Sequence, residues 1–253
     1  MNLSKYKIPL GSLPAGAQEV ANQKTKELEF INYRFSPKLV QDDLEDGVYK
    51  DLNHSYFVKC TTRMDGVNPA MIDWWFDWHL PDSERYKLWH PRDHIASRLD
   101  NNRDHLVTNK ERYIGMDSYV EEYIGKKLFK LCISFIEPSY FGFKEGEDNS
   151  TSVCAIVTDL STGVKIARLL HHVSETHTGS LMKSYFWMGT ELSHPNPLKN
   201  WFVQKLSKLK LAKRFLLNDQ SAKDLLIHCY EEMNHLSKFL PDLHKALAKE
   251  DSS

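Results

Sequence analysis

The sequence predicts an α+β fold in which an antiparallel sheet wraps around one long C-terminal helix and encloses a cavity. Three observations predict it. Five successive segments between residues 118 and 188 alternate apolar and polar side chains with period two, and short turn-rich connections join them. An amphipathic stretch runs from Asp219 to Leu240, and a sheet with one apolar face needs such a cover. Residues 71 to 94 hold four tryptophans, three histidines and a tyrosine, large rings with polar handles of the kind that wall a pocket.

The bulk composition fits that fold and excludes several function classes. The chain has 253 residues, 41% hydrophobic and 26% charged, enough for one sizeable core. A formal net charge of -1 gives no electrostatic reason to expect nucleic acid as a partner. The first residues lack a positively flanked apolar run, and no stretch approaches about 18 continuous apolar residues. A cytoplasmic protein without stable membrane anchoring is expected. Cys60, Cys132, Cys154 and Cys229 are widely spaced with no C-x-x-C pair, so buried free thiols are expected rather than a zinc knuckle.

In chain order, residues 1–50 read as loop and short helix broken by Pro9, Pro14 and Pro37, an N-terminal segment that wraps the single domain expected over 51–253. A short strand is expected at Ser55 to Cys60, and a helix nearly buried all round at Met71 to Trp78. Pro91 suits a first helical position, which would place His94 in the first turn and His90 before it. After a polar connection around residues 101–104 come the strands Ser118 to Ile124, Lys127 to Phe135, Thr151 to Thr158, Val164 to Val173 and Leu181 to Met188. Leu198 to Phe215 reads as a basic helix whose lysines form a solvated face, or else a lid, a dimer contact or a weak membrane-surface patch. The final helix is expected to close at Pro241.

The last helix carries the sharpest chemical signal. His228 and Glu232 stand on the stripe defined by Leu225, Leu236 and Phe239. At i,i+4 spacing both side chains point at one spot. Buried polar groups need partners, and a divalent metal or a plain His–Glu hydrogen bond would each serve. Glu231 lies off the stripe and is expected in solvent, and His235 is near its edge. Among the other histidines, His94 is favoured as a metal ligand, His90 as structural and His79 as a packed ring. Strand parity places Val120, Glu122 and Ile124 on one face, making Glu122 a better ligand than Glu121. Parity also groups Val164, Ile166, Leu170 and His172, so His172 is expected inward and His171 outward. An inward histidine opposite a metal would be placed as a general acid or base.

These residues resemble a known family. Tyr86-Lys87-Leu88-Trp89-His90-Pro91-x-x-His94, preceded by Asp73-Trp74-Trp75-Phe76-x-Trp78, is similar to the 2,4-diacetylphloroglucinol hydrolase family, which includes phloretin-hydrolase-like proteins. Glu122-Tyr123-Ile124-Gly125, Phe135-Ile136-Glu137-Pro138-Ser139 with Phe141-Gly142, His172-Val173-x-Glu175 leading to Met182 through Gly189, and His228-x-x-x-Glu232 fit the same family. The resemblance covers about Cys60 to Leu240.

The resemblance implies a helix-grip fold, like that of pollen allergens and START-type lipid-transfer proteins. It implies a zinc ion held by His94, Glu122, His228 and Glu232, and hydrolysis of a carbon–carbon bond between an aromatic or enolisable carbon and an acyl carbonyl. Tyr86 matches a tyrosine that hydrogen-bonds substrate oxygen, and His172 a histidine that moves protons. The expected partner is a small aromatic or diketone substrate, and the aromatic surfaces are compatible with a homodimer. The chain departs from the family at Ser97, where an asparagine is expected, at Leu80, where a tyrosine is expected, and at Phe186 or Trp187, where another tyrosine is expected and Tyr185 is a candidate substitute. Those losses point to a less hydroxylated substrate. The competing expectation is a helix-grip small-molecule binding protein with a metal-lined or empty cavity and no turnover.

Overall fold

The alternation between residues 118 and 188 is realised as a meander in which each strand pairs antiparallel with the next. The computed structural model describes residues 3–42, 44–100, 103, 105–144, 149–207 and 217–250. In chain order these form α1 (Ala17–Asn22), β1 (Lys26–Glu27), α2 (Ser36–Gln41), β2 (Gly47–Lys50), β3 (Tyr56–Asp65), α3 (Pro69–Trp78), α4 (Ser83–Trp89), β4 (His94–Leu99) and α5 (Asn109–Tyr113). Then follow β5 (Asp117–Ile124), β6 (Lys127–Ile136), β7 (Ser150–Asp159), β8 (Val164–Thr176), β9 (Gly179–Ser193), α6 (Pro197–Ser207) and α7 (Asp219–Glu250). One nine-stranded sheet has the order β1-β2-β3-β9-β8-β7-β6-β5-β4. Among the described residues only the β1–β2 pair is parallel.

Helix α7 lies in the concave face of this sheet, which is the helix-grip arrangement. Ala222, Leu226, Cys229, Met233 and Leu236 are fully buried along it, at spacings that keep one stripe against the strands. The helix does not close at Pro241. Proline removes one intrahelical hydrogen bond, at a cost of about 3 kcal/mol. Burial of Leu240 and Leu243, worth about 2 kcal/mol each, offsets that and carries the helix on.

The segment before residue 51 supplies the last two strands at one end of the sheet and also covers its convex face. There a second apolar cluster joins Tyr33, Leu39, Phe57, Cys154, Leu170, Tyr185 and Trp187. Gly142, at φ 91°, makes this cover close, because a Cβ there would lie 2.2 Å from the Arg34 carbonyl oxygen. The sheet is therefore buried on both sides, and apolar character alone no longer marks the concave face.

Two local expectations change. The helix expected from Pro91 instead precedes it: α4 starts at Asp82, whose carboxylate accepts from the Glu84 and Arg85 amides at 2.7 and 3.3 Å. Pro91 follows that helix, and His94 begins β4, which completes the pairing of β5. Residues 208–216 of the basic segment, and residues 101, 102 and 104 of the polar connection, lie outside the described residues. All four cysteines are free and buried. Among the described residues no helix is long and apolar enough to cross a membrane.

Candidate metal centre and cavity

β4, β5 and α7 bring four of the expected residues together. His94 is directly opposite Glu122 in the β4–β5 register, and a bulge after His94 sets Ala96 opposite Glu121. His94 Nε2 lies 3.5 Å from a Glu122 oxygen and 3.6 Å from a Glu232 oxygen. His228 Nε2 lies 3.8 Å from the same Glu232 oxygen. Ligating atoms of His94, Glu122 and His228 fall within 4.8 Å of one another. Glu121 points the other way and pairs with Lys130 at 2.8 Å.

Hydrogen bonding fixes what these groups offer. His94 Nδ1 is 3.1 Å from the Tyr86 backbone oxygen; a carbonyl only accepts, so Nδ1 carries the proton and Nε2 is a lone pair. That lone pair is buried without a hydrogen-bond partner, as are both nitrogens of His228. Asp93 stands 3.7 Å from His228 Nδ1, the side away from Glu232. Burial holds the Glu232 carboxyl well above the usual range, and the charge of Glu122 pushes the same way. Burial, with His228 and His90 nearby, drives His94 well below the usual imidazole range. Among the described residues, no lysine or arginine pairs with Glu122 or Glu232. Two lone-pair imidazoles and two carboxylates facing one point suit a divalent cation such as zinc, so the donor set fits the implied metal.

In the adjoining polar cluster one guanidinium bridges two carboxylates. Arg92 reaches Asp93 at 2.9 Å and Glu231 at 2.5 Å, and His90 Nε2 is 3.3 Å from Glu231. His90 Nδ1 accepts from the Asp93 amide at 3.1 Å. His90, Asp93 and His228 also approach one another, and there the Asp93 carboxylate is paired with Arg92. His90 is thus a buried orienting ring. Glu231, expected in solvent, is instead held by this pair because α7 presses it against the turn after α4.

Tyr86 is fully enclosed. Its ring lies parallel to His94 at 3.8 Å, and its hydroxyl donates a short hydrogen bond to Glu122. Burial, then the Glu122 charge, raises its pKa well above the ordinary value. A cavity of about 80 Å³ opens beside this cluster, lined by Tyr86, Glu122, His228 and Glu232 together with His79, Leu80, Phe135, His171 and Phe186. That space holds several waters or one small molecule.

The orientation expected at 171 and 172 is reversed. His171 lines the cavity, between Phe76 and Phe186, with Nδ1 2.8 Å from the Ser184 hydroxyl. His172 faces the convex side, stacked on Phe143 and 2.9 Å from the Ser152 hydroxyl. It borders a separate groove of about 1720 Å³ there. Leu170 misled the parity because it is fully buried in the outer cluster under the N-terminal segment. His79 is packed as expected, its Nδ1 2.6 Å from the Trp75 carbonyl oxygen, but it also lines the cavity. His235 is buried with neither ring nitrogen hydrogen-bonded. At the sites of departure, Ser97 donates to the Leu80 carbonyl oxygen at 2.6 Å. Phe186 faces the cavity, while Trp187 and Tyr185 belong to the outer cluster.

Comparison with known proteins places the chain in a family. The family model described as DAPG hydrolase PhiG domain matches residues 34–245. The chain is similar to a 2,4-diacetylphloroglucinol hydrolase of Pseudomonas protegens, 27% identical over 256 residues that cover 96% of this chain and 81% of that protein. It is similar to a phloretin hydrolase of Eubacterium ramulus, 28% identical over 194 residues, 73% of this chain and 65% of that one. Among solved structures, Ara h 8.0201 aligns with TM-score 0.35 and 10% identity, over 69% of this chain and 98% of that chain.

Proposed function

The chain belongs to the DAPG hydrolase PhiG domain family, and from that premise we propose that it is a zinc-dependent hydrolase of the carbon–carbon bond between an aromatic or enolisable carbon and an acyl carbonyl. One observation carries the reading. His94, Glu122, His228 and Glu232 converge beside the small cavity with buried imidazole nitrogens that have no hydrogen-bond partner among the described residues.

In this reading those four side chains hold the ion, and Asp93 and the Tyr86 carbonyl orient the two rings. When bound, a divalent ion held by two carboxylates supplies charge that orients and polarises the substrate oxygens rather than a strong Lewis acid. Tyr86 keeps its phenolic proton because it is buried; its single O–H, given to Glu122 in this structure, turns to a substrate oxygen when one binds. His171 takes the proton-transfer role expected of its neighbour. Burial lowers it to about 3, so the ring is neutral and any proton it accepts is passed on rather than kept.

The bond changes balance without an external oxidant or a serine nucleophile. Water adds its oxygen to the acyl carbon, and the carbon–carbon bond breaks. The electron pair moves onto a ketone oxygen of the ring tautomer, which regains its proton as the ring becomes aromatic. The products are a carboxylic acid and a ring carbon bearing hydrogen.

Zinc analysis of wild type and His228→Ala, with an assay on acylphenols and β-diketones, tests this. One zinc per wild-type chain, lost in the variant, with turnover of a panel member, is expected; stoichiometric zinc in His228→Ala would overturn the site. The replacement of polar family positions by Leu80 and Phe186 supports a second reading, a metal-lined binding protein. Tight binding of the panel with no turnover would favour it.

A further inference from the structure

Beyond the metal cluster and Tyr86, the cavity wall is almost wholly apolar. Its polar exceptions are His79, His171, Ser118 and the Trp89 indole, whose buried Nε1 is a donor and not an acceptor. Ser118 is spent locally: its hydroxyl is 3.4 Å from Ser97 Oγ, whose own proton goes to the Leu80 carbonyl. His171 is engaged with Ser184. His79 differs because its tautomer is settled. The Trp75 carbonyl 2.6 Å away accepts the Nδ1 proton, which leaves Nε2 a lone pair on a ring fully buried in the wall. Burial also keeps that ring neutral.

Position adds the second half of the argument. Trp75, His79, Tyr86 and His94 form a column of near-parallel rings, with successive centroids 4.8, 6.0 and 3.8 Å apart and tilts of 16°, 15° and 6°. His79 therefore stands one ring beyond Tyr86 from the metal end. The His79 and Tyr86 centroids are 6.0 Å apart, a separation on the scale of a single substituted ring.

We propose that His79 is a specificity-determining residue that accepts a hydrogen bond from a hydroxyl on the substrate's ring edge opposite the acyl group. This rests on the acyl-compound reading above. It names the substrate class as a monocyclic acylphenol with a hydroxyl para to the acyl carbon, one of the two positions, with ortho, from which a hydroxyl can tautomerise to the ketone that receives the electron pair. Further hydroxyls would meet Phe135, Leu80 and Phe186 and go unpaired.

The test measures binding of 4-hydroxyacetophenone and 4-methoxyacetophenone to the zinc-loaded protein by tryptophan fluorescence, with zinc content determined in parallel. Wild type is expected to prefer the hydroxy compound about tenfold, the worth of one buried hydrogen bond. His79→Phe is expected to lose that preference with its zinc retained, and His79→Gln, which offers an amide oxygen near the Nε2 position, to keep part of it. An equal preference in wild type and His79→Phe, or none in wild type, overturns the proposal. Should His79→Phe fail to fold, a His79→Leu protein that keeps the wild-type preference in full overturns it equally. Absence of zinc from wild type would instead count against the metal-centre reading, since the hydroxy-to-methoxy ratio is read separately.

Discussion

Tyr86 and His94 are stacked face to face, 3.8 Å between ring centroids and 6° from parallel, while the Tyr86 hydroxyl donates to Glu122, the residue opposite His94 in the sheet. One side chain thus braces two of the proposed metal ligands. The contact is possible because α4 ends just before β4 begins, and the intervening turn folds the ring back over the strand.

Tyr86→Phe keeps the stack and removes only the hydroxyl. We expect zinc to remain bound, with affinity reduced about 10- to 100-fold as for other outer contacts to ligands. Turnover of an acylphenol should fall further, because the donor to the substrate oxygen is gone. Competitive zinc titration beside steady-state kinetics separates the two effects.

The two adjacent histidines should behave very differently. His171→Ala removes the cavity imidazole and is expected to lower kcat by about 10²- to 10⁴-fold. His172→Ala loses a convex-face contact with Phe143 and Ser152 and should leave kcat within about threefold. Equal losses in both would contradict the assignment of the proton-transfer role to His171.

Glu232→Gln should have opposite effects with and without metal. Burial raises the Glu232 pKa in the metal-free fold, so stability falls as pH rises from the unfolded value of about 4.5 toward the raised folded value, above which the full cost of the ionised carboxylate is present. An amide removes that cost, and the EDTA-treated variant should melt higher than EDTA-treated wild type at pH 7. With zinc present the order should invert, because a ligand has been lost. Calorimetry of both proteins in both states reads the inversion directly.

Acid should weaken the metal-free fold through its buried neutral histidines. His79 and His171 lie at about 3 in the fold, against 6.5 for the free side chain, because burial disfavours their charged forms. The unfolded chain binds more protons below pH 6.5, so stability is full above that value and falls as pH drops toward 3. The slope should approach 1.4 kcal/mol per pH unit for each group. Urea melts in EDTA at several pH values should show a shallower slope in His171→Phe than in wild type.

Glu121→Gln should leave zinc stoichiometry unchanged, whereas Glu122→Gln should reduce it. Glu121 is half-exposed and pairs with Lys130, and removing a surface ion pair costs at most about 1 kcal/mol.

Several features were legible because they depend on near neighbours in the chain. Period-two runs became β5 to β9, the i,i+4 spacing of His228 and Glu232 put both side chains toward one point, and alternation along β5 separated Glu122 from Glu121. Other features were decided by parts of the chain far away. The N-terminal segment covers the convex face, so Leu170 is buried there and His171 rather than His172 faces the cavity. The open edge of β5 recruits His94 into a strand, and Arg92 draws Glu231 out of solvent. Local pattern sets which residues share a face. Which face meets the helix, and which polar groups find counter-charges, depends on contacts between segments that no spacing along the chain encodes.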